Sequence, residues 1–120
     1  MSSVLIGAFA AHGLKQMLDS YALGLIETAA KYQMYHAIAL LLVGVMASQP
    51  QFPERWLNWS ASLFAIGIIL FSGSLYLLAL SNVKWFGAVT PLGGLAFILG
   101  WLTLTVSIHK GAILTKPESP

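Results

Sequence analysis

Between Arg55 and Lys110 the chain carries one charged residue, Lys84, and everything else is apolar or uncharged. Lys84 divides two apolar runs, Trp56–Leu80 and Phe86–Ile108. Each exceeds the roughly 20 residues that a helix needs to cross a hydrocarbon core about 30 Å thick. Neither shows the polar face at a period of 3.6 that a soluble helix of this length would carry. Two further apolar stretches lie upstream. Val4–Leu14 would rise only about 16 Å as a helix, too little to span. Ala29–Ala47 is long enough, and its only charge, Lys31, stands near its start. The pattern predicts an all-α integral membrane bundle of four helices at about 4–14, 29–47, 56–80 and 86–108, the first short or truncated.

The connections follow from the breaks in this pattern. In Lys15–Ala30, the residues Leu18, Tyr21, Ala22, Leu25 and Ala29 recur at helical spacing. This predicts an amphipathic stretch lying at the membrane interface and running on into the second segment. Pro50 and Pro53 stop that segment and set a short loop. Trp56 and Trp59 follow where an aromatic belt would meet the headgroups. Ser81–Lys84 is so short that the third and fourth helices must be antiparallel neighbours. The tail after Lys110, with two prolines, is expected to fray.

Composition narrows the class. Apolar residues make up 58% of the chain and charged residues 8%, against about 25% charged in a soluble domain. The 120 residues allow one transmembrane domain. A net charge of +2 with no basic patch gives no support to nucleic-acid binding. The expected partners are the lipid bilayer and a homo-oligomer or larger membrane complex. Arg55, Lys110 and Lys116 would lie on one side of the membrane, and Lys15, Lys31 and Lys84 on the other. With Lys15 and Lys31 pinned by the interfacial stretch, the charge bias places both termini in the cytoplasm.

Catalytic chemistry finds little footing. No acidic residue lies in the three long apolar segments, which removes paired carboxylates. There is no cysteine, no phosphate-cradling glycine loop and no metalloprotease helix. The serines have no base at a readable spacing. No enzyme activity and no cofactor is expected.

The candidate functional residues are therefore polar or small side chains at depth. Ser72, Gly73, Ser74 and Tyr76 fall in the third segment, and Thr90, Pro91, Gly93 and Gly94 in the fourth. Pro91 removes a backbone donor, and the paired glycines leave a groove. The preferred reading is that Ser72-Gly73-Ser74 packs on Gly93-Gly94 as a tight helix crossing. The competing reading makes the hydroxyls and the proline a solute path. Small residues four apart at Gly7/Ala11, Gly44/Ser48, Ala61/Ala65 and Ala96/Gly100 favour close helix packing. Tyr32, Gln33 and His36 are placed on one face of the second helix. His12 and His36 are the titratable candidates near the membrane. A metal site from His12, His36 and Glu27 lacks close ligand spacing, so none is expected.

Four strings occur in order: Gly7-Ala8-Phe9-Ala10-Ala11-His12-Gly13-Leu14, Tyr32-Gln33-Met34-Tyr35-His36-Ala37, Leu70-Phe71-Ser72-Gly73-Ser74-Leu75-Tyr76 and Thr90-Pro91-Leu92-Gly93-Gly94. Together they resemble the YgdD-like family of small membrane proteins, bacterial relatives of a mitochondrial transmembrane-protein family. The resemblance covers about Gly7 to Trp101. It implies four membrane helices and, for bacterial members, the inner membrane, but no assigned activity. That family has a further apolar stretch before the segment matching Gly7, where six residues stand here. This departure supports a first helix that begins part-way along.

Overall fold

The computed structural model describes residues 1–115, and these form four helices. Helix α1 (Ser2–His12) leads through a 3₁₀ turn, Leu14–Gln16, to α2 (Ser20–Ala47). Helix α3 (Glu54–Ser81) returns antiparallel, and α4 (Trp85–Leu114) crosses again. The last three are long and apolar enough to cross a membrane, so the molecule is a multi-pass helical membrane bundle. The fold class read from the apolar runs is the observed one.

Each boundary has a local cause. Asp19 caps α2 by accepting a 2.8 Å hydrogen bond from the Ala22 amide, satisfying one of the orphan donors of the first turn. Pro53 precedes α3, where its missing N–H costs nothing. Asn82 ends α3 in the left-handed region, at φ 56°, and turns the chain toward α4.

Two expectations need correction. The stretch Lys15–Ala30 does not lie along the interface. From Ser20 onward it is the first part of α2, and Ala22, Ile26 and Ala29 are buried against α1 and α3. The charges at Glu27 and Lys31 made it look interfacial, whereas its apolar side is an internal packing face. Second, α4 runs on to Leu114, so Lys110 lies inside a helix rather than at the start of a frayed tail. Lys110 sits over the Trp56 ring at 5.3 Å, which helps hold that end. Pro117 and Pro120 lie outside the described residues. Helix α3 also carries a π turn at Ile68–Ser72.

Helix α3 is the centre of the bundle, with α2 on one side and α4 on the other, and α1 lies against α2. The α3–α4 seam is built from rings seated over glycines. Phe97 of α4 fills the space a side chain at Gly67 would need, and Phe64 of α3 does the same at Gly100. Phe52 covers Gly111. Phe64, Leu57 and Leu104 are almost fully enclosed in this seam, with Ala39, Val43 and Met46 of α2 closing the core. Outward positions such as Leu41, Ile69 and Leu80 are exposed, as a lipid-facing surface requires.

Candidate functional site

The singled-out residues do not form one site. They fall into separate clusters, each joining a different pair of helices.

The first cluster bridges α2 and α4. His36 is buried, and its Nδ1 lies 2.8 Å from the Tyr32 carbonyl oxygen one turn earlier. Its Nε2 lies 3.1 Å from Nε1 of Trp101. An indole nitrogen only donates, so Nε2 must be the acceptor and Nδ1 must carry the hydrogen. This assigns the neutral Nδ1–H tautomer, with both ring nitrogens satisfied. The imidazole stacks on Phe97 with centroids 3.5 Å apart and planes 8° apart. Tyr32 stacks on the outer side of the same array and meets Phe71 at 4.7 Å. Phe64 and Trp101 complete the group edge to face at 5.1 Å. These rings fill a gap that the α2 and α4 backbones leave between them.

A groove of about 580 Å³ opens beside this cluster, lined by Tyr32, His36, Phe71, Pro91, Gly94 and Trp101 among others. Its walls are chiefly apolar. Pro91 is exposed along it, and α4 continues through the proline without a break. His36 offers the groove no free lone pair and no free N–H, so it is not set up there as a base or ligand.

The second cluster joins α1, α2 and α3. Tyr76 donates its hydroxyl hydrogen to Gln33 Oε1 at 2.7 Å, and Gln33 Nε2 donates to Ser2 Oγ at 2.8 Å. Gln33 therefore points away from His36. The expectation that Tyr32, Gln33 and His36 share one face holds for the residues four apart and fails for Gln33, which lies about 100° around the helix from Tyr32.

The third group lies along α3. Ser72 Oγ donates to the Ala29 carbonyl of α2 at 2.8 Å. Ser74 Oγ donates to the Phe71 carbonyl at 2.9 Å and meets Thr90 Oγ1 of α4 at 2.7 Å. The two serines thus serve opposite neighbours. The expected tight crossing exists, with different partners from those read in the sequence. A side chain at Gly93 would collide with the backbone N and Cα of Phe71, while Gly94 has only Phe71 Cδ2 at 3.9 Å and Gly73 faces open space. The π turn brings the Phe71 backbone to Gly93. Ser72, Ser74 and Thr90 are not among the residues that line the groove beside His36.

His12 is exposed at the end of α1, far along the bundle from His36. Among the described residues no three His, Cys, Asp or Glu side chains gather as a metal-holding group. Of the small pairs, Ala96/Gly100 is buried in the α3–α4 seam, whereas Gly7 and Gly44 have nothing near them. Ser60, which donates to the Gly100 carbonyl at 2.9 Å, was not singled out in the sequence, nor were Phe97 and Trp101. Trp101 had a signal: it stands well inside an apolar run rather than at a headgroup boundary.

Known proteins supply a family. The description "Protein of unknown function (DUF423)" matches residues 6–94. A UPF0382 membrane protein of Staphylococcus haemolyticus is 44% identical over 110 residues, covering 92% of this chain and 88% of that protein. Another, from a bovine strain of Staphylococcus aureus, is 44% identical over 112 residues, covering 93% and 89%. No solved structure matches. On a match over most of its length, and with relatives named as membrane proteins, the chain belongs to the DUF423 family.

Proposed function

We propose that this protein is a non-catalytic helical-bundle component of its membrane, a structural or accessory element that assembles with other chains. One observation carries the reading: among the described residues, every buried polar side chain but Ser107 hydrogen-bonds to a neighbouring helix. Ser60, Ser72, Ser74, Thr90, Gln33, Tyr76 and His36 all have partners inside the bundle. A translocation path needs such groups to face one water-filled route, and here they face different neighbours. In the same reading the membrane is a bacterial inner membrane with both termini cytoplasmic, supported by the positive charges of Arg55 and Lys110 at one end of the bundle.

Purification in mild detergent tests this. A stoichiometric partner or a defined homo-oligomer is the expected result. A strictly monomeric protein that brings nothing with it would contradict the proposal.

A further inference from the structure

Three helix ends meet at the end of the bundle away from Lys110. Helix α2 starts at Ser20, α3 stops at Ser81 and α4 starts at Trp85. Trp85 is exposed there, and an amphipathic ring of this kind marks the level of the headgroups. Two cavities open between these ends, of about 280 and 380 Å³. Tyr21, Leu78 and Asn82 line both, so the two adjoin. Asp19 lines the first and Lys84 the second.

The local structure holds these groups in place. Asp19 caps α2 through Oδ1, and its Oδ2 remains an acceptor. Asn82 holds the left-handed turn, with its main-chain amide donating to the Leu78 carbonyl at 2.9 Å. The Val83 amide donates to Ser81 Oγ at 3.3 Å, so Lys84 leaves a hydrogen-bonded turn and not a slack loop. Leu25 and Leu78, which lie further along their helices into the membrane, give the cavities apolar walls.

A carboxylate on one side, an ammonium on the other, and a phenol and an amide between them stand above apolar walls. A phospholipid whose headgroup joins a phosphate to a primary ammonium carries the complementary charges and the complementary tail. We propose that the paired cavities bind such a lipid, of the phosphatidylethanolamine class. Its ammonium donates to Asp19, its phosphate accepts from Lys84 and Asn82, and its chains descend past Leu78 into the bilayer. Charge-assisted bonds give the selectivity. A trimethylated headgroup has no N–H for Asp19, and a glycerol headgroup has no charge for it. The inference rests on the membrane location and this crevice, and not on assembly with other chains.

Native mass spectrometry of the purified chain in mild detergent, with one phospholipid added at a time, reads the retained lipid. Phosphatidylethanolamine should be retained about ten-fold more than phosphatidylcholine or phosphatidylglycerol with the same chains. Asp19→Asn keeps a capping side chain, so α2 should stay folded while the preference disappears. Lys84→Gln should lower retention of phosphatidylethanolamine about ten-fold, and Arg55→Gln, at the other end of the bundle, should leave it unchanged. Equal retention of the three lipids by the unaltered chain would overturn the proposal, as would a preference that survives Asp19→Asn. Loss of thermal stability in the Asp19 and Lys84 variants with unchanged lipid retention would show an internal ion pair only, and would also overturn it. An equal loss with Arg55→Gln would reduce the effect to net charge, with the same consequence. Glycerophosphoethanolamine, the headgroup without its chains, should fail to displace the bound lipid at equal concentration. Displacement would overturn the lipid as occupant.

Discussion

Trp101 donates its indole hydrogen to Nε2 of His36, 3.1 Å away and across the gap between α2 and α4. The two residues are 65 apart in the chain, and their bond, with the Tyr32 carbonyl on the other ring nitrogen, holds the imidazole flat against Phe97. The backbones of α2 and α4 stay apart here, so side chains make this junction.

The tautomer assignment can be observed. Nitrogen NMR of ¹⁵N-histidine-labelled protein in detergent should show one ring, absent from a His36→Gln control, with hydrogen on Nδ1 and a bare Nε2. An Nε2–H signal for His36 would contradict the bond geometry. Trp101→Phe should alter that signal and cost stability. Coupling between the two positions in a double-mutant cycle should be about 0.6 kcal/mol and no more than about 1.7.

Adjacent glycines should respond in opposite ways. Gly93→Ala pushes a methyl into the Phe71 backbone, which cannot move aside without opening the α3–α4 seam. A loss of about 1–3 kcal/mol is expected on thermal or denaturant unfolding in detergent. Gly94→Ala, with its nearest neighbour at 3.9 Å, and Gly73→Ala, with none within 4 Å, should cost nothing and gain up to about 1 kcal/mol from helix propensity. Equal losses at Gly93 and Gly94 would argue against this crossing.

Ser107 is fully buried, and its hydroxyl has no partner among the described residues. Replacing it with alanine removes an unsatisfied group, so Ser107→Ala should leave stability unchanged or raise it by up to about 1 kcal/mol. Ser60→Ala and Ser72→Ala each lose a cross-helix bond and should be less stable by about 0.6 kcal/mol, measured in the same unfolding assay. A large loss at Ser107 would show that its hydroxyl has a role the geometry does not reveal.

Helices α3 and α4 were legible because no charged residue lies between Arg55 and Lys84 or between Lys84 and Lys110. The first part of α2 was misread for a physical reason. Glu27 and Lys31 lower its hydropathy, and an apolar stripe that packs on other helices looks the same in sequence as one that lies on lipid. The Ser72-Gly73-Ser74 string was correctly marked as polar and small, but residues two apart on a helix diverge by about 200°, so their hydroxyls serve α2 and α4 separately. The π turn at Ile68–Ser72 has no compositional mark, and it sets Phe71 against Gly93. The partners of His36 depend on the register between helices, which local spacing does not contain.

The central claim is that the polar groups of the bundle are dry. Cysteine substitution at Ser72 and Ser74, with Asn82→Cys as an exposed control at the helix end, allows labelling of intact membranes from either side with a membrane-impermeant thiol reagent. Labelling of Asn82→Cys alone is the expected result. Rapid labelling of Ser72→Cys or Ser74→Cys in a folded protein would reveal an aqueous route through the bundle and contradict the claim.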